Sequence, residues 1–255
     1  MDFLTIERRP CVTEPVLLAA FFGWSDAGAA ATSAVQYVSE RTGAERFARI
    51  DGEDLFDFTV QRPTVRLDEQ RIRSLDWPGY DLVASESSNL VFLVGPEPHL
   101  KWKTFCRSVL HVTREIGVSR IALLGAFLAE VLYSDPVALT GFASDTALLE
   151  RLKVSPTGYQ GPTGIVGSLA ETFLRESIPM VSLWAAIPHY IAATPNPRAA
   201  LALLLKLREW VSLPIDLAPL EGAASTFQAK LLEAVESDSD LTKYLKGLKK
   251  TETSH

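Results

Sequence analysis

Four runs of the chain are apolar almost without interruption: VLLAAFF at 16–22, LVFLVG at 90–95, RIALLGAFLA at 120–129 and MVSLWAAI at 180–187. Successive side chains on a strand point to opposite faces, so a run without polar alternation predicts a strand covered on both sides, as in a parallel sheet. The segments between these runs carry the longer period of helices. From Ala27 to Glu40, Ala27, Ala31 and Val35 share one stripe, with Ala30, Ala34 and Val38 beside it. Lys101 to Ile116 gathers Phe105, Val109 and Val112 on one side, and Ile165–Ser177 and Ala199–Trp210 also read as helices. Strand–helix alternation predicts an α/β fold: a layered, twisted, mostly parallel sheet flanked by helices.

Two regions break this rhythm. Residues 51–80 mix charges with short apolar pairs, and they read as one or two edge strands and loops, or a lid. After Pro214 and Pro219 come two helix patterns, Glu221 to Val235 and Asp238 to Leu248, separated by ESDSD. They predict a C-terminal helical hairpin, 214–255, added to an α/β core domain, 1–213. Its apolar positions include Leu231, Leu232, Val235, Leu241, Tyr244, Leu245 and Leu248.

Composition narrows the function classes. At 47% hydrophobic and 22% charged, the chain can bury a sizeable core. A net charge of −6 gives no basic face for a nucleic acid, so none is expected as a partner. The apolar runs are about half the ~20 residues that span a bilayer, and the opening MDFLTIERRP has no secretory pattern, so neither a membrane nor a leader is expected. Two distant cysteines, Cys11 and Cys106, suggest a reducing cytoplasm rather than a disulfide framework. Four histidines without metal spacing suggest no metal, and no motif calls for a cofactor.

Three stretches carry the candidate chemistry. In FFGWSDAG, Gly23 ends a strand, Asp26 is placed to cap a helix beginning at Ala27, and Gly28 lets that helix lie close to the sheet. The stretch is either a packing corner or an anion site at a helix N-terminus. It is not GxGxxG and has no phosphate lysine, and Asp26 would repel a phosphate. In GYQGPTGIVG, Gly161, Gly164 and Gly167 precede a helix that Thr163 can cap. In SLWAAIPHYIAATPNP, His189 follows a strand end, where a general acid or base can sit, with Asp26, Glu130, Asp135 or Asp145 as possible partners. The candidate pocket is therefore Gly23, Trp24, Asp26, Gly28, Gly161, Thr163, Gly164 and His189, with no residue assigned a catalytic role. Of the tryptophans, Trp24 and Trp184 are expected in the core and Trp77 in a loop.

GWSDAG, YxGPTGI at 159–165 and SLWAAIPHY followed by NP at 182–197 together resemble the proteasome assembly chaperone 2 family, in its bacterial and archaeal branch. GFASD at 141–145 and KYLKGLK at 243–249 resemble it too, and the likeness runs from about residue 16 to about 250. The resemblance implies a sheet-and-helix scaffold similar to nucleoside phosphorylases, and no catalytic residue. It also implies a non-enzymatic assembly chaperone that pairs with itself and with a proteasome-related or other protein client. The terminal KKTETSH lacks the hydrophobic–Tyr–X ending by which such chaperones can dock. The second reading is a binder of, or enzyme for, a nucleoside-like or other small anionic ligand on the same scaffold.

Overall fold

In the computed structural model, residues 3–191, 194–237 and 244–245 are described. The order of elements begins β1 (Leu4–Ile6), β2 (Val16–Phe22), a short 3-10 turn (Ala27–Ala29), α1 (Ala30–Arg41) and β3 (Glu45–Asp51). Next are β4 (Thr64–Leu67), β5 (Arg73–Asp76), β6 (Gly79–Ser85), β7 (Leu90–Pro96) and α2 (Trp102–Glu115). β8 (Arg120–Ala129), β9 (Leu139–Ala143), α3 (Thr146–Leu152), β10 (Ser155–Pro156) and α4 (Ile165–Arg175) follow. The chain continues with β11 (Met180–Pro188), α5 (Pro197–Leu207) and α6 (Ala218–Ser237).

The four apolar runs form the middle of a nine-stranded sheet ordered β1-β3-β6-β7-β2-β8-β11-β9-β10. β7, β2, β8 and β11 are mutually parallel, as the lack of polar alternation predicts. β6 turns antiparallel on one flank and β9 on the other. Each face of the sheet carries its own core. Leu18, Ala20, Phe92, Leu124 and Leu183 pack under α1, α3 and α5 on one side. Leu17, Phe21, Phe47, Leu93 and Leu123 pack under α2 and α4 on the other. Burying one such side chain is worth about 1.5–3 kcal/mol, and both layers depend on that sum.

The helix faces follow the period read from the sequence. Ala30, Ala31, Ala34, Val35 and Val38 of α1 are buried, as are Phe105, Val109 and Val112 of α2. α6 begins three residues earlier than expected, and its Leu220 joins the core beneath α5. The second C-terminal helix pattern, 238–248, lies outside the described residues except for Tyr244 and Leu245. Residues 51–80 supply two short strands, but these are not an edge of the main sheet. β4 and β5 pair only with each other, antiparallel, with Val65 opposite Leu75.

β7 and β2 are neighbours whose chains leave in opposite directions: β2 feeds α1 on one face, and β7 feeds α2 on the other. Such a divergence opens a crevice at the carboxyl ends of the strands, where α/β proteins place their sites. β7 keeps its course here because Gly95 has no side chain. A methyl at Gly95 would lie 2.5 Å from the ring of Tyr80, which is fully buried and donates its hydroxyl to Pro96 O at 2.7 Å. Gly95→Ala should therefore cost about 1–3 kcal/mol of overpacking, read as a lower urea midpoint with unchanged slope.

Candidate functional site

At the crevice, the turn after β2 is organised by Asp26. The helix does not start at Ala27, as the sequence suggested. Gly28 and Ala29 take left-handed conformations (φ 61° and 48°), and regular α1 begins only at Ala30. That detour brings the first helical N–H groups back over Asp26. Its Oδ1 accepts from Ala31 N–H at 2.8 Å and Thr32 N–H at 3.3 Å, and its Oδ2 accepts from the Thr32 hydroxyl. The backbone of Asp26 bridges to Ala126 of β8, and Ala126 N–H donates to Ser25 O at 2.9 Å. Asp26 is thus a cap and a stitch to the sheet. Burial pushes its carboxyl above the ordinary 3.8, and the bonds from Thr32 and Ala31 work against that rise.

Glu97, which sequence reading missed, holds the second helix start. Thr163 does not cap α4. Gly164 occupies the cap position and has no side chain to offer, so Ile165 N–H donates to Glu97 Oε1 at 2.7 Å. A methyl at Gly164 would lie 2.6 Å from that oxygen, 2.8 Å from Ser25 Oγ and 3.1 Å from the Trp24 ring. Gly23, with φ 116°, faces the same glutamate, its missing Cβ 3.7 Å from Glu97 Cβ. Gly23, Trp24, Ser25, Glu97 and Gly164 therefore meet at one corner. Ser25 is only 2% exposed, and its hydroxyl has no hydrogen-bond partner. The signal for Glu97 was its place directly after a buried parallel strand.

The remaining candidates make their contacts with other parts of the chain. Gly28 faces β11 and α5: its missing Cβ is 3.1 Å from Asn196 Cβ, and its carbonyl accepts from Asn196 N–H at 2.8 Å. Asn196 in turn caps α5 through Ala199 N–H at 3.1 Å. Gly161 and Thr163 lie in the loop before α4, where Tyr159 folds back to donate to Pro162 O at 2.8 Å. His189 directly follows β11, with β8 between that strand and β2. None of the four acids named as its possible partners bonds it. Its Nδ1 lies 3.3 Å from Ala129 O and its Nε2 3.3 Å from the Tyr244 hydroxyl. Tyr190 and Tyr244 flank it edge-on, beside a small cluster of Leu132, Val235 and Leu245. Trp24 is a correction too: 57% of it is exposed, because the turn at Gly23 carries it out past the end of the sheet. Trp184 is half-buried against the core and Trp77 is exposed.

Chemically, the starts of α1 and α4, which meet near this corner, already hold the chain's own carboxylates, which leaves little positive potential for an anion at the corner itself. No group of three or more metal-ligating side chains converges among the described residues. Two open clefts lie elsewhere, one of about 550 Å³ beside Arg46, Arg49 and Trp77, the other of about 670 Å³ between α5 and α6. No helix among the described residues is long and apolar enough to cross a membrane.

A mixed sheet, parallel at its centre and covered by helices on both faces, defines the class: a layered α/β scaffold. Residues 20–235 match the PAC2 family model, and the chain belongs to that family. A PAC2 family protein from Streptomyces avermitilis is 38% identical over 90% of this chain and 99% of its own, with a TM-score of 0.81. A Mycobacterium tuberculosis proteasome-assembly chaperone homologue is 34% identical, with the same coverage and TM-score. A Pyrococcus furiosus archaeal proteasome activator shares the fold at 16% identity, covering 92% of this chain and all of its own, with a TM-score of 0.69. Comparison with curated proteins gives no match.

Removing Asp26 tests the corner. Asp26→Ala should cost about 2 kcal/mol, since it deletes a cap and strands the buried Thr32 hydroxyl. Asp26→Asn keeps an acceptor and should cost less. A folded-state pKa raised above 3.8 means that the folded chain binds the proton more tightly. Stability from this group is full below 3.8 and is lost as pH rises through the folded-state value. The Asn variant should lack that decline in urea titrations run across the acid range.

Proposed function

We propose that this chain is an assembly-chaperone-like protein that works by protein–protein contact, as a homo-oligomer, without chemistry of its own. The observation that carries the reading is the character of the crevice edge. Phe22, Trp24, Phe127, Leu128 and Tyr159 stand exposed there, all at or near the carboxyl ends of the parallel strands. The polar groups near it already have partners within the chain: Asp26 and Glu97 cap helices, and the exposed His189 meets a carbonyl and a tyrosine. Exposed aromatics rimmed by polar groups mark protein-binding surfaces, and tryptophan dominates their energetics. The relatives described as a proteasome-assembly chaperone homologue and a proteasome activator support a proteasome-related client. A cytoplasmic location follows from the same reading.

A second reading is kept by one atom. The orphan hydroxyl of Ser25 beside Gly164 is a buried donor without an acceptor, the sort of group a small polar ligand satisfies. A saturable rise in melting temperature with nucleosides or inorganic phosphate would favour it.

The leading reading is tested by light scattering at micromolar concentration and by native mass spectrometry of the tagged protein with proteasome subunits. Oligomers and a stoichiometric complex are expected. Trp24→Glu should weaken the complex by about thirtyfold or more, with thermal unfolding unchanged. A client complex indifferent to Trp24→Glu would remove this edge from the reading, and a monomeric protein would remove the oligomer.

A further inference from the structure

The β4–β5 hairpin has no packing role that explains its composition. Every residue of both strands is exposed. A two-stranded sheet alone in water is marginal, and both edges of this one present unpaired backbone groups. Its two faces are nonetheless sorted. Thr64, Arg66, Ser74 and Asp76 share one face, where Arg66 and Asp76 form an ion pair at 2.7 Å. Val65, Leu67 and Leu75 share the other with Arg73, which stands opposite Leu67 at its end, and Trp77 follows in the same alternation, its ring 5.2 Å from that of Phe58. This apolar face borders the cleft of about 550 Å³, which has room for several large side chains.

We infer that the β4–β5 hairpin is the arm by which two copies of this chain associate, their apolar faces packed against each other. The inference rests on the self-association proposed above and names its surface. Two features select a second copy as the occupant. The first is area. Val65, Leu67, Arg73, Leu75 and Trp77, all exposed, present on the order of 500 Å² in one copy, so a pair removes roughly 1,000 Å², where specific interfaces begin. The second is charge. The chain carries −6 overall, yet residues 62–76 hold four arginines (Arg62, Arg66, Arg71 and Arg73) against three acids (Asp68, Glu69 and Asp76). The hairpin is thus a place where two acidic molecules meet without net repulsion. Among the described residues Arg71, Arg73 and Glu69 form no ion pair within the chain, which leaves both signs free to pair across a two-fold axis.

The test compares the wild type with Leu67→Glu/Leu75→Glu by sedimentation and light scattering over a concentration series. Both positions are exposed, so thermal unfolding of the monomer should be unaffected. The double variant is expected to weaken association at least tenfold. A second variant, Leu67→Cys in a Cys11→Ser background, is expected to form a covalent dimer under mild oxidation, because the remaining Cys106 is buried. If the wild type associates and the double variant associates equally well, the hairpin inference falls while self-association stands. If association is lost but the cysteine variant gives no covalent dimer, the face-to-face arrangement is overturned. A monomeric wild type, its hairpin then free for a different protein, overturns both readings together.

Discussion

The architecture turns on a carboxylate placed where a charge is costly. Asp26 is buried and has no cation beside it among the described residues, so only hydrogen bonds compensate its desolvation. Those bonds come from Ala31 and Thr32, and they can form only if the chain loops through Gly28 and Ala29 before the helix starts. The loop in turn places the Gly28 carbonyl under Asn196, which caps α5. One buried acid therefore fixes where α1 begins, how β2 is stitched to β8 and how α5 is seated over the same face.

The same logic explains the character of the crevice. At the end of β2 the starts of α1 and α4 come close to one point from opposite faces of the sheet, and orphan N–H groups there need acceptors. In many α/β proteins a ligand supplies them. Here Asp26 and Glu97 do, and beside these filled positions apolar side chains stand exposed: Trp24 over the corner, with Phe22, Phe127 and Leu128 at the strand ends.

β3 ends and β6 begins at this edge, since Asp51 lies opposite Gly79, and the Tyr80 hydroxyl reaches Pro96 at the end of β7. The β4–β5 hairpin emerges from between them. The exposed aromatics and the amphipathic hairpin therefore project from one side of the sheet, while the opposite ends of the parallel strands lie away from both.

The sequence alone determined what depends on neighbouring residues. Unbroken apolar runs became the four parallel strands, and the stripes Ala31–Val35 and Phe105–Val109–Val112 became the buried faces of α1 and α2, because the period of side-chain direction is a local property. It also marked Asp26 and Gly28 as parts of a corner. Tertiary structure decided the rest. Glu97 reaches its partner Ile165 across 68 positions of chain, and nothing near GPTG announces it. Trp24 sits in an apolar context yet is exposed, because its burial depended on where the sheet ended. His189 pairs with a carbonyl of the neighbouring strand and with Tyr244, 55 positions away, rather than with an acid. Periodicity reports which way a side chain points, whereas burial and partnership depend on what distant segments bring to that point.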